Sequence, residues 1–590
     1  MRVDYTRDEK LTNFGKATLE DRYLLPGESH QDLFARVAKY YSNDEEHAQR
    51  LYDYMSQLWF MPATPVLSNG GTTRGLSISC FLSESGDTME SIMDNWMENG
   101  WLACRGGGIG TYWGNVRSMG ERIGVVGKSS GVVPFMKVQD SLTLAISQGS
   151  LRRGSAAIYL PIWHPEIEEF IEIRRPTGGD PNRRCLNLHN GVVIDNKFME
   201  AVDNDGDYDL LSPKDNAVIK TVKARDLWIR LLTARVETGE PYLLFIDTVN
   251  ASMPVHQKDL GLSIKTSNLC TEIVLPTGVD HLGQHRTAVC CLSSLNFETY
   301  EEWKDNPDFI RDVMYFLDNV LQDFIDKAPD THSRARYSAM RERSVGLGVM
   351  GLHSYYQSKN IAFDSVEAAH INRLLHQRVR HLVDEANQTI AYDRGACPDA
   401  IEAGYDNIRF STTMAIAPTA SISVICGGTS PGIEPLLANA YNHKTLSGSF
   451  LVKNQYLQKV LKDYGMDIPE VWSSIMANEG SVQHLDFMMD EHKAVFKTAM
   501  EINQNSIIDQ AADRQEYVDQ AQSVNIFLPS DVHKRDLHKL HFSAWKKGLK
   551  SLYYCRSVSI HRAEKSSQKI ERNMLVDKKK PEYEVCEACQ

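Results

Sequence analysis

The sequence lacks the features of a membrane, secreted or nucleic-acid-binding protein. It begins with a charged segment, M-R-V-D-Y-T-R-D-E-K, without the apolar core of a signal peptide. A long uncharged run, residues 411–433, is interrupted by prolines and glycines, whereas a membrane helix needs roughly 20 mostly apolar residues. Lys and Arg number 64 against 77 Asp and Glu, so no broad basic surface for phosphate backbones is expected. We therefore expect a cytoplasmic protein that binds neither membranes nor nucleic acid.

The sequence also lacks a disulfide framework. Its 11 cysteines are odd in number and scattered over 590 residues. Cys586 and Cys589 form a C-x-x-C pair in a tail that is too charged and too poor in apolar residues to fold, so we expect this tail to be mobile. Zinc binding is one alternative for the pair, but it normally takes four ligands. Thiol–disulfide exchange suits an accessible dithiol better, and it implies a second disulfide elsewhere that needs reducing.

Helical and strand-like segments alternate along the chain, which predicts an α/β fold with a parallel or mixed sheet. Helices are predicted for residues 9 to about 60, from Asp87 with an apolar stripe over 89–97, and for 309–325. Short apolar runs are predicted as strands: Ala156–Trp163, Val192–Asp195, Tyr242–Ile246, Cys270–Leu275, Ala288–Phe297, Val524–Leu528 and Ser551–Tyr554.

The segment K-T-S-N-L-C-T-E-I-V-L-P, residues 265–276, contains a notable set of polar groups. The apolar residues around Cys270 predict a strand or an extended loop, and in an extended chain side chains at i, i+2 and i+4 share one face. Asn268, Cys270 and Glu272 would then direct an amide, a thiol and a carboxylate to one place. Cys80 and Cys290 lie in apolar runs where a cysteine usually just packs in the core. Adjacent Tyr553 and Tyr554 are, taken alone, ordinary aromatic packing.

Three glycine-containing segments have alternative interpretations. Gly346–Gly351 matches the dinucleotide pattern G-x-G-x-x-G, but R-E-R-S-V before it does not resemble a buried strand, so close helix packing is favoured over a nicotinamide-dependent dehydrogenase. Gly106–Gly110 follows a helix and predicts a loop whose backbone another group approaches. Residues 417–435 offer small hydroxyl side chains and backbone N–H groups, which could bind phosphate or form a plain loop.

Several separated motifs, in order from about residue 10 to the C-terminus, resemble the large (α) subunit of class I ribonucleotide reductase. The resemblance implies a ten-stranded α/β barrel with a central finger loop, preceded by an N-terminal helical region. The corresponding domains are 1–75, 76–560 and the tail 561–590. The chain enters the helical region almost at once, so we expect no ATP-cone and no dATP off-switch of that kind. The motifs are M-P-A-T-P-V-L-S-N-G-G (61–71), S-C-F-L-S-E-S-G-D (79–87), R-G-G-G-I-G (105–110), S-N-L-C-T-E-I-V-L-P (267–276), V-C-C-L-S-S-L-N (289–296), P-T-A-S-I-S (418–423), L-Y-Y-C-R (552–556) and C-E-A-C-Q.

The resemblance implies a role for each polar group of the finger. A thiyl radical on Cys270 would remove the 3′ hydrogen of the ribose, Glu272 would act as general base on the 3′ hydroxyl, and Asn268 would hold the ribose hydroxyls. Cys80 and Cys290 would reduce the 2′ carbon and become a disulfide.

Further roles implied by the resemblance concern disulfide exchange and the substrate. Cys586 and Cys589 would reopen the active-site disulfide, with thioredoxin or glutaredoxin as the external reductant. Cys291, beside Cys290, leaves a swapped role open. The substrate diphosphate would lie on a phosphate loop near Thr64, Ser79 and Gly108. The loop residues are Pro418, Thr419, Ala420, Ser421 and Ile422.

Tyr553 and Tyr554 resemble the pair that relays a radical from the family's β subunit, a dimetal protein of iron or manganese. No cofactor or metal is then expected to be bound permanently in this chain. The relay separates class I from the adenosylcobalamin-dependent class II, which is the alternative. A further alternative is a non-catalytic nucleotide-binding homologue. The presence of the five redox cysteines, Glu272 and both tyrosines argues against this alternative.

The resemblance also implies regulation by a deoxynucleoside triphosphate or ATP at a homodimer interface. Asp87 and Arg117 match family positions there, and Arg183 lies in the matching loop 175–186. Asp87 has a second interpretation as the N-cap of the following helix, with Glu90 three residues later. The apolar face of that helix fits a dimer contact or the protein core.

Overall fold

The computed structural model describes residues 1–125, 127–148, 152–153, 155–445 and 448–557. None of the helices in these ranges is long and apolar enough to span a membrane. The α-helices are Asn13–Arg22, His30–Tyr40, Glu45–Ser56, Thr64–Asn69, Met89–Cys104, Val133–Ala145, Ile167–Ile171, Asn196–Asp203, Ala224–Thr238, Ile246–Ala251, Val255–Asp259, Tyr300–Trp303, Phe309–Lys327, Ser333–Glu342, Leu352–Ser358, Val366–Arg394, Pro398–Glu402, Ala420–Ile425, Gln455–Asp463, Pro469–Ala477, Asp490–Val495, Gln504–Gln515 and Lys534–Lys546.

The N-terminal region is helical, as expected. Its helices begin at side-chain caps that satisfy free N–H groups: Thr12, Ser29 and Asp44 each accept a backbone hydrogen bond. The predicted helix at 309–325 is found as Phe309–Lys327, and its apolar face is buried. Short strand pairs outside the barrel are Arg122–Ile123 with Gly127–Lys128, Ser147–Gln148 with Arg152–Arg153, Asp207–Leu211 with Val218–Lys223, Gly278–Val279 with His285–Arg286, and Ala440–Thr445 with Gly448–Lys453.

Five parallel strands form the first half-barrel, each paired with the next along the chain. Helices connect them, as parallel strands require. Nearly every residue in these strands is buried, because helices or the barrel interior cover both faces. The strands are Cys80–Glu84, Gly108–Tyr112, Ala156–Pro161, His189–Ile194 and Tyr242–Phe245.

Five more segments form the second half-barrel, also parallel to one another. They are Ala288–Asn296, Val345–Met350, 412–416, 520–528 (with Ile526–Leu528 regular) and 551–557 (with Ser551–Leu552 and Cys555–Ser557 regular). The strand Phe60–Pro62 pairs with Ala288–Asn296 beside this ring.

Two antiparallel seams join the half-barrels. At the cysteine seam Cys290 pairs with Cys80, and at the tyrosine seam Leu552 pairs with Leu243. The ten segments therefore close a ring, and the expected ten-stranded barrel is confirmed.

The finger loop, residues 262–277, passes between the two seams. Its central residues are fully buried, including Asn268, Cys270 and Glu272. The prediction of a strand at Cys270–Leu275 is wrong: the chain turns here, with a Thr271 N–H to Asn268 carbonyl bond of 3.4 Å and a φ of +67° at Thr271. The argument from strand alternation therefore fails, although the three side chains do enter the barrel.

Glycines on the barrel wall make room for close neighbours. A Cβ on Gly110 would lie 1.9 Å from the Ser267 carbonyl oxygen, so the finger backbone lies directly on this strand. The expectation that something approaches the Gly106–Gly110 backbone is thus met by the finger loop itself, although Gly108–Tyr112 is a strand.

The prediction of close helix packing at Gly346–Gly351 is wrong. Val345–Met350 is a fully buried barrel strand rather than a helix-packing site. A Cβ on Gly348 would lie 2.6 Å from the carbonyl oxygen of Ala415 on the adjacent segment, and one on Gly346 would lie 2.5 Å from Leu292. Interstrand packing, and not a dinucleotide, accounts for these glycines.

Candidate active site

Two cysteines face each other at the cysteine seam. Cys80 and Cys290 are direct partners in the antiparallel register, and both are fully buried. The Asn268 side-chain amide lies 3.5 Å from the Cys80 sulfur, and that of Gln520 lies 3.7 Å from the Cys290 sulfur. Burial, with the nearby Cys80 second, raises the pKa of Cys290 well above its ordinary value. Both thiols are free, and their register is that of a pair able to close a disulfide.

Cys291 belongs to the opposite face of the same strand, since side chains alternate along a strand. Burial, then Cys80 and Asp318, raise the pKa of Cys291. Asp318 lies on the helix Phe309–Lys327, outside the barrel. By contrast, a Cβ on Gly346, in the adjacent barrel strand, would lie 3.0 Å from the Cys290 sulfur. Geometry therefore favours Cys290 as the cysteine that faces the finger.

The finger side chains are fixed by groups from both half-barrels. The Tyr159 hydroxyl donates to the Asn268 carbonyl at 2.6 Å, and the Asn268 side-chain oxygen accepts from the Ile273 N–H at 3.1 Å. The Ser523 hydroxyl contacts the Cys270 carbonyl at 2.6 Å and Glu272 Oε2 at 3.2 Å. These bonds hold the amide, thiol and carboxylate in a buried cluster next to the cysteine pair.

Tyr553 joins the tyrosine seam to the finger. Its hydroxyl donates to the Cys270 sulfur at 3.3 Å. The ring of Tyr554 lies 4.2 Å from that of Tyr553, centroid to centroid. A third ring, Tyr242, lies 4.8 Å from Tyr553 and 5.2 Å from Tyr554. Tyr553 is buried whereas Tyr554 is partly exposed, and their rings are tilted by 49° to each other, so a path of contacting aromatic rings leads from near the surface to the Cys270 thiol.

The proposed substrate residues lie on three elements. Gly108 is the strand partner of Cys80, and its N–H donates to the Ser79 carbonyl at 2.7 Å. The Thr64 hydroxyl contacts that of Tyr23 at 2.8 Å, at the start of the helix Thr64–Asn69. This helix is tied to the cysteine strand, because the N–H of Ala63 donates to the Leu292 carbonyl at 3.2 Å.

The phosphate loop ends the 412–416 strand and begins the short helix Ala420–Ile425. Pro418 precedes Thr419, which has a positive φ of +53° and whose hydroxyl accepts from the Gly432 N–H at 2.7 Å. Ala420 and Ser421 are partly exposed, whereas Ile422 is buried. The loop is therefore a folded turn that begins a short helix, with two partly exposed residues in its first turn.

The three predicted effector residues belong to one polar network. Arg117 binds the Asp87 carboxylate through Nε at 2.7 Å and Nη2 at 2.6 Å. Arg183 binds Glu169 at 2.5 Å and reaches Glu166 at 3.5 Å. Glu166 also accepts the N–H of Met119, two residues beyond Arg117, at 3.2 Å.

The N-cap interpretation of Asp87 is wrong. Thr88 caps the helix Met89–Cys104 by accepting the N–H of Ser91. The Asp87 carboxylate is thereby left to accept hydrogen bonds from Arg117, from the guanidinium group and from the Arg117 backbone N–H at 2.9 Å. This pairing agrees with a role in effector binding and has no part in helix capping.

Sequence reasoning missed Tyr159, Ser523, Gln520 and Tyr242. They lie in strands or next to them, and nothing in their local sequence separates them from core residues. Only the barrel topology brings them to the finger. Cys586 and Cys589, like the tail 561–590, lie outside the described residues. Within the described ranges, no cluster of His, Cys, Asp or Glu is arranged to hold a metal ion.

Comparison with known proteins identifies the family. The model of the ribonucleotide reductase barrel domain matches residues 78–407 and 402–555, and that of the all-alpha domain matches residues 9–75. The ribonucleoside-diphosphate reductase large subunit of Invertebrate iridescent virus 3 is 41% identical over 620 residues, covering 95% of each chain. The putative large subunit of Frog virus 3 is 43% identical over 563 residues, again covering 95% of each.

A solved structure agrees with this assignment. The class Id ribonucleotide reductase alpha subunit of Actinobacillus ureae has a TM-score of 0.83 and 37% identity, covering 95% of this chain and 99% of that one. Together with the closed barrel, the finger loop and the paired cysteines, these matches show that the chain belongs to the ribonucleotide reductase large-subunit family.

Proposed function

We propose that this chain reduces ribonucleoside diphosphates to 2′-deoxyribonucleotides by class I radical chemistry. The observation that carries the proposal is the 3.3 Å contact between the Tyr553 hydroxyl and the Cys270 sulfur. A class II enzyme has no need of a pair of contacting tyrosines that ends on this thiol. The curated relatives, named ribonucleoside-diphosphate reductases, support the diphosphate form of the substrate.

The radical reaches the finger by hydrogen-atom exchange. The partner subunit removes one electron and one proton from Tyr554. The Tyr554 phenoxyl takes a hydrogen atom from Tyr553, and the Tyr553 phenoxyl takes one from the Cys270 thiol, which becomes a thiyl radical. The thiyl then takes the 3′ hydrogen of the ribose, which restores the thiol and leaves a carbon radical. Each transfer needs the reacting atoms near van der Waals contact, and the 3.3 Å between the Tyr553 hydroxyl and the Cys270 sulfur meets this requirement.

The reduction proper uses the cysteine seam. Glu272 removes the 3′-hydroxyl proton, and the 2′ hydroxyl leaves as water. Cys80 and Cys290 supply two electrons and two protons and form a disulfide. Asn268, held through Tyr159 and Ile273, donates to the ribose hydroxyls. The Cys270 thiol finally returns its hydrogen to the 3′ carbon, so the thiyl is regenerated and the hole moves back along the tyrosines.

The diphosphate is assigned to the phosphate loop, Pro418–Ile422, with Thr64, Ser79 and Gly108 beside the ribose end. Hydroxyl and backbone N–H donors suit an anion without requiring a lysine. Helix N-termini favour negative charge, which supports placing the phosphate groups at the start of the helix Ala420–Ile425. This assignment rests on the resemblance and on the position of the loop at the end of a barrel segment.

Effector control is assigned to the network of Asp87, Arg117 and Arg183, with a deoxynucleoside triphosphate or ATP as ligand.

The adjacent helix Met89–Cys104 supports a homodimer. Only part of its predicted apolar stripe is buried. Ile92 is buried, whereas Met89, Met93 and Met97 are more than half exposed. Trp101 extends this exposed face at the same four-residue spacing. A second copy of the chain would cover such a face.

The partners follow from the chemistry. A dimetal β subunit, with iron or manganese, starts the radical, so no cofactor need reside permanently in this chain. Cys586 and Cys589 reopen the active-site disulfide, and thioredoxin or glutaredoxin reduces them in turn. Nine free cysteines among the described residues fit the reducing cytoplasm.

The proposal is tested by assaying reduction of a ribonucleoside diphosphate with a dithiol and an effector. One series contains the metal-loaded cognate β subunit and the other contains adenosylcobalamin alone. We expect product only with the β subunit, and its loss in Tyr553→Phe. The matched control is Tyr392→Phe, which removes a hydroxyl from a fully exposed tyrosine on the helix Val366–Arg394. Product with cobalamin alone would assign the protein to class II.

A further inference from the structure

A carboxylate–histidine pair lies against the outer tyrosine of the relay. His189 Nδ1 is 2.6 Å from Glu240 Oε1 and 3.4 Å from the Tyr554 hydroxyl oxygen. The His189 ring meets Tyr554 edge-on, at 6.2 Å and 80°. It also stacks on Tyr242 at 6.1 Å and 17°. The imidazole is thus oriented by three neighbours, and one of its nitrogens is shared between the carboxylate and the phenol.

The short contact decides where the imidazole proton is. A carboxylate oxygen and a bare ring nitrogen repel each other at 2.6 Å, so a hydrogen must lie between them. Burial opposes ionisation of Glu240, but Arg174, His189 and the Asn190 N–H together hold the pKa of Glu240 below its ordinary value. The proton therefore belongs to Nδ1, and Nδ1–H is the donor. Glu240 is the main acceptor of this N–H at 2.6 Å, and the Tyr554 oxygen at 3.4 Å accepts the longer arm of the same, bifurcated hydrogen bond.

Glu240 is itself firmly held. Its carboxylate is almost fully buried, with 2% of the side chain exposed. Oε2 accepts from the Asn190 N–H at 2.9 Å and lies 3.3 Å from Arg174 Nε. Asn190 follows His189 on the same barrel strand, so the carboxylate bridges the strand and its own histidine. A carboxylate held in this way fixes the tautomer of the imidazole that it contacts.

We propose that His189, oriented by Glu240, is a positioning residue that donates a hydrogen bond to the oxygen of Tyr554 and thereby tunes its radical. The inference rests on the proposed relay function of Tyr554. It requires no proton uptake by His189, because Nδ1 already carries its hydrogen. When Tyr554 loses its own hydrogen atom, the phenoxyl oxygen retains partial negative charge and accepts the Nδ1–H more strongly than the phenol does.

The donor does not take part in the proton movement of the relay. Since Nδ1 offers no lone pair to Tyr554, the imidazole does not accept the phenol hydrogen of that residue. The histidine thus stabilises the radical without competing for its proton. The longer arm of a shared hydrogen bond lies at the lower end of the range for an ordinary one, which corresponds to a change in rate of about twofold.

The test is an electron paramagnetic resonance measurement on the assembled α–β enzyme with substrate and effector. Tyr554→3-aminotyrosine traps the radical at this position. High-field spectra are compared between this chain and the same chain carrying His189→Phe, which keeps an aromatic ring beside Tyr242 and Tyr554 but removes the N–H. We expect a lower gx and an exchangeable proton coupling with His189, and a higher gx without that coupling in His189→Phe.

Steady-state kinetics on the chain with its natural tyrosines completes the test. His189→Phe is expected to lower kcat by about twofold with KM unchanged, and Glu240→Gln, whose amide oxygen competes less strongly for the N–H, to give a gx no higher than that of the unmodified chain. The control is His381→Phe, which alters an exposed His–Glu pair (3.3 Å) on a surface helix and should leave both readouts as they are. Equal gx values and couplings for His189 and His189→Phe would overturn the hydrogen bond while the relay stands. Absence of any trapped radical at position 554 would instead overturn the relay itself.

Discussion

Replacing Gly110 by alanine should inactivate the enzyme while leaving it folded. The new Cβ would lie 1.9 Å from the Ser267 carbonyl oxygen and 2.9 Å from the Asn268 Cα, and both are backbone atoms of the finger loop. A rotamer change cannot relieve a clash with backbone, so the finger itself must move. Overpacking of this kind costs about 1–3 kcal/mol of stability, which a chain with so large a buried core can tolerate.

The size of the effect follows from the distances. The Ser267 oxygen must retreat by about 1.1 Å to reach 3.0 Å, the lower limit that real Cβ contacts respect. A similar shift of Cys270, three residues along the finger, would break its 3.3 Å contact with the Tyr553 hydroxyl. A misplacement of about 1 Å costs roughly 100-fold in rate. We therefore expect kcat to fall by about two orders of magnitude.

The assay is deoxynucleotide formation with the cognate β subunit, supported by circular dichroism and by effector binding. Gly206→Ala is the matched control, because its Cβ would meet nothing closer than 3.7 Å. Retention of fold and effector binding with a large loss of turnover supports the placement of the finger on this strand. Activity of Gly110→Ala within twofold of the unmodified chain would refute it.

Three further predictions follow from the structure. Cys290→Ser should lower multiple turnover at least about 100-fold, whereas Cys291→Ser should retain it, since only Cys290 faces the finger; equal losses in a turnover assay would contradict this. Asp87→Asn should weaken effector binding about tenfold, measured by calorimetry, by removing a charge-assisted pair, while unstimulated reduction stays the same. Burial raises the pKa of Glu342 to about 8 from its ordinary 4.5. The protonated carboxyl group of Glu342 therefore contributes stability that is fully present below pH 4.5 and is lost as the pH rises through 8. The free energy of unfolding, measured with urea, should therefore rise for Glu342→Gln relative to the unmodified chain by about 4 kcal/mol between pH 4.5 and 9. A difference that stays constant with pH would refute the assignment.

Much of the fold was accessible from the sequence because its signals are local. The helix at 309–325 and most barrel strands follow from apolar periodicity, and the structure moves their ends by only a few residues. The finger loop was not accessible in this way. Its apolar residues resemble a strand, but they are buried by the barrel around them and pair with no neighbouring strand. Glycine spacing misled for a related reason: at Gly346–Gly351 it reflects tight interstrand packing.

The candidate site likewise contains some residues that a local motif reveals and others that only the tertiary structure brings together. Residues within one motif, such as Asn268, Cys270 and Glu272, could be named from the sequence through the family resemblance. Their supports could not, because Tyr159 and Ser523 are brought to the finger only by closure of the ring. The choice between Cys290 and Cys291 likewise needed the orientation of the strand, which cannot be determined from the sequence of two adjacent cysteines. The effector network needed tertiary structure as well, since Thr88 and not Asp87 caps the helix.

The most direct test of the central claim is peptide mapping of the enzyme after one turnover. The chain carrying Cys586→Ser and Cys589→Ser is fully reduced, freed of external thiol, and mixed with the β subunit, effector and a ribonucleoside diphosphate. The account predicts about one deoxynucleotide per active chain and a disulfide that joins Cys80 to Cys290, with Cys270 and Cys291 left as thiols. Product formed with all of these cysteines still reduced, or with a disulfide that includes Cys270 or Cys291, would contradict it.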